Sequence, residues 1–360
     1  MADPTTKFVT NDPLTRKKWA KDLFRMLLPA VEFNSFVGTG SDSVIQMNKD
    51  LGKGEGDEVT MGIRLPLTGE GIVGDDTVEG NEERLRFRNF KLTIEELNHA
   101  VDTGGKMDEQ RIPINLFQEG KDALQEWWGD KLSDYIVNLM CSNSKYKIRG
   151  KDFAQPIAEP SANRTFRVND VANDGLITSA DGITLAFLDR LKQRAEVPTA
   201  GVNSLYKIRP IMRGGKKYYR VVMHTYTFDE LKRNTNLGEW GDLVRQTAKL
   251  AGAGLEDADI IYNGLVISKS ERVPCIVPSA AGDGSGCYRV ALMGSQAFVF
   301  AWGGAGESKS TTMAFHPYTR DADRYVMIRG GGIFGARKVQ FEGEDFGCIT
   351  GACWSAPATD

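Results

Sequence analysis

The most regular stretch of the chain runs from Ile112 to Cys141. Apolar residues recur there at Leu116/Phe117, Leu124, Trp127/Trp128, Leu132, Ile136 and Leu139/Met140, a helical period held for many turns. The spacing predicts one helix over Pro113–Cys141, about 40 Å long at a rise of about 1.5 Å per residue. Pro113 suits the first turn, where its missing N–H costs nothing, whereas Gly120 and Gly129 weaken the interior without marking a stop. So long an apolar stripe needs a broad surface to cover it.

Flanking sequence supplies strands. Residues 57–65 alternate cleanly, with Val59, Met61, Ile63 and Leu65 on one face. Residues 84–94 alternate through Leu85 and Phe87 and then change phase to Phe90, Leu92 and Ile94, which predicts a bulge near Asn89 or a strand passing between two surfaces. Between the two runs, residues 66–83 hold four glycines and the acids Glu70, Asp75, Asp76, Glu79, Glu82 and Glu83, with no Lys or Arg. The following stem has the opposite sign, with Arg84, Arg86, Arg88 and Lys91. A connection this long without a helix either is disordered or works on a partner. An acidic tip on a basic stem suits head-to-tail contact between identical copies.

Elsewhere, Asp12-Pro13 opens a basic amphipathic helix through Leu28, and Thr178 or Ser179 caps a second helix with the stripe Ile183, Phe187/Leu188, Leu191 and Ala195. Residues 205–224 read as a hairpin turning at Gly214-Gly215, rich in Lys207, Arg209, Arg213, Lys216, Lys217 and Arg220 with interleaved tyrosines. That composition fits a surface facing nucleic acid or a neighbouring subunit, and equally an edge hairpin kept soluble by its charges. Thr227–Glu230 forms a capping box, with Trp240, Leu243, Val244 and Thr247 on the helices that follow, and from Ile260 onward strands and turns dominate. The class is α+β.

Composition narrows the chemistry. With 45 Lys+Arg against 48 Asp+Glu, the net charge of −3 argues against a protein whose task is coating nucleic acid. No apolar run is long enough to span a bilayer, and residues 1–13 lack the pattern of a signal peptide, so synthesis in the cytoplasm and no membrane partner are expected. The five cysteines show neither CxxC nor a disulfide framework, and three histidines supply acid–base schemes thinly. Gly303–Ser310 imitates a phosphate loop but places Ser308 where the second glycine belongs. Gly330, Gly332 and Gly335 satisfy GxGxxG but are followed by another strand, and Asp345-Phe346-Gly347 is a kinase triplet without the kinase's other parts. No catalytic set, cofactor or metal is expected. An acid/base enzyme acting on carbohydrate through paired carboxylates is the alternative, and a DNA-binding protein built on the 205–224 hairpin a third reading.

The wording of several segments carries a resemblance. Residues 11–15 (NDPLT), 36–42 (FVGTGSD), 56–60 (GDEVT), 79–83 (EGNEE), 105–111 (GKMDEQR) and 261–267 (IYNGLVI) occur in the order and spacing of the N-four-like major capsid protein family. The chain therefore resembles tailed-phage capsid proteins of the Hong Kong ninety-seven type across most of residues 10–345. The resemblance implies an N-terminal arm at 1–48, an extended E-loop at 49–111 and a peripheral domain at 112–149 with its spine helix. It further implies an axial domain at 150–304, a second peripheral segment at 305–345 and a C-terminal tail at 346–360. It also implies a subunit that assembles as hexamers and pentamers into an icosahedral shell, a virion protein made in the host bacterial cytoplasm. Its partners would be itself, a portal, scaffold or decoration proteins, and packaged DNA held by non-specific contact.

Overall fold

The computed structural model describes residues 34–48, 56–64, 67, 71–74, 77–80, 82–105, 116–197, 207–250, 259–304, 313–322 and 324–358. The basic helix expected after Asp12-Pro13 lies outside them, as do Glu70, Asp75 and Asp76. The long periodic stretch forms helix α1, Leu116–Met140. It lies on a six-stranded sheet ordered β1 (Val37–Gly38), β2 (Ile45–Asn48), β13 (Phe298–Gly303), β15 (Tyr325–Lys338) and β14 (Met313–Arg320), with β5 (Glu95–Gly105) paired to β15. Leu124, Trp128, Leu132, Tyr135, Ile136 and Leu139 bury the stripe against Phe298, Phe300, Trp302 and Phe334. Each such side chain contributes about 1.5–3 kcal/mol on burial. Trp127, at the margin of the stripe, stacks on His99 with ring centroids 4.2 Å apart. Gly120 lets the helix approach β5 closely, since a Cβ there would sit 2.9 Å from Thr103 Cγ2.

A second sheet has eight strands. Its path runs β6 (Thr165–Arg167), β18 (Cys348–Ser355), β12 (Gly286–Met293), β8 (Lys216–His224), β10 (Leu265–Ser270) and β9 (Ile260–Tyr262). β7 (Ile211–Arg213) joins β8, and β11 (Cys275–Pro278) joins β12. One face takes helices α2 (Leu185–Glu196) and α3 (Thr225–Arg233), which pack Phe187, Leu188, Leu191 and Phe228 on Tyr219, Val221, Met223, Val290 and Leu292. The alternate residues Val222, Ala291 and Met293 turn to the other face and join the core beneath α1. The sheet is thus a middle layer, and its central strands are near-continuous apolar runs because both faces are covered. Helix α4 (Leu237–Leu250) packs beside the edge strand β9.

Several expectations are corrected. The chain enters each core more than once: β13, which precedes the boundary expected at 304, sits inside the first sheet between β2 and β15. Within the segment expected as a C-terminal tail, β18 is an interior strand buried along nearly its whole length. β3 (Glu58–Arg64) and β4 (Phe87–Thr93) pair in unbroken register from Glu58↔Thr93 to Arg64↔Phe87, so there is no bulge at Asn89. The chain changes surface at Ile94, where β4 gives way to β5 in another sheet. α2 is capped by Thr184, whose hydroxyl accepts from Phe187 N–H at 3.3 Å. α3 starts before the expected capping box and is capped by His224, whose Nδ1 accepts from Tyr226 N–H at 3.0 Å.

Candidate assembly surfaces

Two exposed hairpins carry the charged residues singled out by the sequence, and a buried junction carries charged residues that the sequence did not single out. The β3–β4 hairpin rests its base on the body through Phe90 and Leu92, which pack with Val299, Ala301, Val339 and Phe341. Beyond that base most of the described side chains are open. Glu79, Glu82 and Arg84 are exposed, and Glu82 accepts from Gly80 N–H at 2.9 Å. The basic stem is engaged within its own chain. Arg86 pairs with Glu83 at 3.5 Å, Arg88 with Glu342 at 2.7 Å and Lys91 with Glu58 at 2.8 Å. These contacts are solvated and weak.

The hairpin presents apolar side chains as well. Val73 is 84% exposed, Val78 64%, Leu85 56% and Phe87 60%, with Leu67 and Ile72 open beside them. Scattered single apolar residues on a surface mean little, whereas a row on one projecting segment marks a surface to be covered. The sequence held the signal for two of them. Leu85 and Phe87 are out of phase with Phe90 and Leu92 because they face away from the body.

The 205–224 hairpin divides into two environments. Its turn at Gly214-Gly215 has φ of 54° and 74°, the left-handed pair that a two-residue hairpin turn needs. Lys207, Arg213, Lys216 and Lys217 are exposed around it, and Arg209 pairs with Asp42 at 3.7 Å. Arg220 does not belong to this surface. It is buried, with its guanidinium 4.3 Å above the Phe36 ring. Nor is the hairpin an edge one, since β8 is interior and only its first residues project past the sheet.

The junction lies at the end of α1. Ser142, at φ 52°, turns the chain left-handed, and Arg289 Nη1 donates to the carbonyls of Cys141 and Ser142 at 3.2 and 2.7 Å. A cation is favourable at a helix C-terminus. Arg289 Nη2 donates at 3.0 Å to both Glu159 and Asp174. Burial pushes the Asp174 carboxyl up, but hydrogen bonds and charge from Arg167 and Arg289 overcome that and hold it below the usual range. Beside this set, Lys338 and Asp345 are both fully enclosed. Lys338 Nζ donates to the Asp345 carboxylate at 3.0 Å, to Ser142 Oγ at 2.9 Å and to the Glu159 carbonyl at 3.1 Å. Gln340 and the Ser161 N–H satisfy the remaining carboxylate positions at 2.7 and 3.1 Å. Arg289 comes from the eight-stranded sheet and Lys338 from the six-stranded one, so the two cations fasten both sheets to the end of the helix.

Of the GxGxxG glycines, Gly335 serves packing, since a Cβ there would sit 2.1 Å from the Thr93 carbonyl oxygen, and one at the intervening Gly331 would sit 2.1 Å from Asn98 Oδ1. Residues 305–310 of the phosphate-loop imitation lie outside the described residues. Asp345 of the kinase-like triplet is the partner of Lys338. Among the described residues no group of His, Cys, Asp and Glu has the geometry of a metal site.

A family model described as phage capsid protein matches residues 7–352. The chain belongs to that family. It is 28% identical to the major capsid protein of Pseudomonas phage KPP25 over 95% of each chain. The fold is similar to the capsid of Ralstonia phage GP4, with a TM-score of 0.81 and 22% identity over 100% of this chain and 98% of that one. The Cyanophage Pam1 capsid gives a TM-score of 0.71 at 19% identity over 91% and 92%. The fold is the Hong Kong ninety-seven type of phage capsids. This capsid protein is a structural component of a multi-copy shell in the virion, not an enzyme, and the carbohydrate-active alternative falls with that assignment.

Proposed function

We propose that this chain is the subunit of an icosahedral shell around a phage genome, arranged as hexamers and pentamers of itself. A portal, scaffold or decoration proteins and packaged DNA held by non-specific contact would be its partners, and synthesis would take place in the host bacterial cytoplasm. The observation that carries this reading is the end-to-end match to a major capsid protein, which leaves no large segment of either chain unaccounted for. In this reading the arm expected over 1–48 ends before β1 and the E-loop expected over 49–111 is the β3–β4 hairpin reaching over an adjacent subunit, since β1, β2 and β5 belong to the six-stranded sheet. α1 with its sheet forms the peripheral domain. The eight-stranded sheet with α2, α3 and α4 forms the axial domain, taking in β18 as well as most of residues 150–297.

The exposed row at Val73, Val78, Leu85 and Phe87 gives the E-loop an apolar surface to bury on a neighbour. Many modest interfaces of this kind, repeated around a closed shell, hold it collectively. The test is sedimentation and negative-stain microscopy of the purified chain with two sets of variants. Leu85→Ser with Phe87→Ser should leave the monomer within about 0.5 kcal/mol of its original stability and sharply reduce closed shells. Reversing Asp75, Asp76 and Glu79 to Lys should weaken assembly less, because Glu83, Glu342 and Glu58 of the same chain already engage Arg86, Arg88 and Lys91. Normal shells from the serine variant would remove the E-loop from the account, and a chain that never assembles would remove the shell.

A further inference from the structure

Beside the edge of the eight-stranded sheet lies a recess that the described residues leave open. α4 packs inward through Trp240, whose ring lies 5.6 Å from that of Phe228, through buried Leu243, and through Thr247, whose hydroxyl accepts from Ile261 N–H at 2.9 Å. At 100° per residue this places Gly238, Gly241 and Asp242 on the outward side, between Leu237 and Val244 on one flank and Glu239 on the other. Leu237 is 87% exposed and Val244 47%. A recess of about 410 Å³ opens on the Glu239 flank, floored by Leu185, Leu243 and Tyr262 and rimmed by Glu239 and Asp242. Among the described residues Asp242 pairs with the exposed Arg245, at 3.4 Å. An apolar floor under two carboxylates suits a side chain with an apolar stem and a positive head. The two glycines point the same way. A Cβ at Gly238 or Gly241 would meet nothing, and neither has a left-handed φ, so the single chain gives no reason for residues that weaken a helix. Close approach of another surface does.

The complement stands on the same molecule. At the β7–β8 turn Met212 is half exposed, and Arg213, Lys216 and Lys217 are open and carry no ion pair among the described residues. We infer that the β7–β8 tip of one copy seats in the α4 recess of the next, its lysine heads on Glu239 and Asp242 and Met212 over the apolar floor of Leu185, Leu243 and Tyr262. This rests on the reading of the chain as a shell subunit, and it names the neighbour's surface that the basic hairpin meets. Strands β10 and β9 separate β8 from α4, so tip and recess are distinct patches. A head-to-tail contact between distinct patches closes into a ring when its rotation closes, and opposite charge sets its register.

The experiment is a charge swap in the full chain, read as the fraction of protein sedimenting as rings or shells. Lys216→Glu with Lys217→Glu, and separately Glu239→Lys with Asp242→Lys, should each lower that fraction on the order of tenfold, and the four together should restore most of it. Monomer melting should not move, because all four side chains are exposed. In a second measurement, Lys217→Cys and Glu239→Cys in one chain should give, on oxidation of assemblies only, a denaturing-gel ladder of linked chains. Wild-type assembly with both reversals, or a swap that restores nothing, overturns the contact while leaving the shell reading intact. Normal shells that retain less DNA after the hairpin reversal would assign the tip to the genome and likewise overturn it. A wild-type chain that never assembles removes both.

Discussion

Lys338 and Asp345 show how much can hang on one pair. Each is completely enclosed, and every hydrogen-bonding position of the ammonium is taken. Such a pair gains little over apolar residues of the same shape, but removing one partner strands the other's charge. Lys338→Met should therefore cost about 3–5 kcal/mol in denaturant unfolding, and adding Asp345→Leu should recover a good part of it. At His224 the consequence is a pH dependence. Burial holds the imidazole below its ordinary 6.5, against the raising effect of the Glu271 carbonyl, and neutral Nδ1 caps α3. The unfolded chain then takes up the proton first as pH falls. The contribution is whole above about pH 6.5 and is lost as pH falls through the lower folded value. His224→Gln should flatten the monomer's loss of melting temperature between about pH 7 and pH 5. Neither residue announced itself in the sequence. Lys338 and Asp345 stand in different strands, and the triplet containing Asp345 looked like a stray motif. His224 lay one residue outside the helix whose start a Thr–Glu box had obscured.

At the scale of elements, α1 was legible because one face repeats every three to four residues for its whole length, and β3 because it alternates. Elements buried on both faces were not. β18, CITGACWS, has no alternation to read, since β6 and β12 flank it and both of its faces are covered. Its position at the end of the chain made it resemble a tail. Truncation after Asp345 should accordingly remove an interior strand and yield insoluble or unfolded protein. A soluble truncated chain with an unchanged circular dichroism spectrum would show that the sheet closes without it. The apolar face of the β3–β4 hairpin was half legible. The phase change at Leu85 and Phe87 was visible, but its cause lay in which face meets the body, and periodicity alone does not distinguish a bulge from a face turned to a neighbour.

At the scale of the molecule, two cores share one structural layer. The eight-stranded sheet gives one face to α2 and α3 and the other to the core under α1, while Arg289 and Lys338 join both sheets to the end of that helix. The body should behave as one cooperative unit, with its assembly surfaces on projections from it. Amide hydrogen exchange on the monomer and on the assembled shell tests this most directly. Protection should rise at residues 71–87, at the 211–217 turn and along 237–245, while α1, β8, β12 and β18 are already protected in the monomer and change little. If the projections exchange equally fast in both states, or if protection appears mainly in the core strands, assembly is not mediated by these surfaces and the account is wrong.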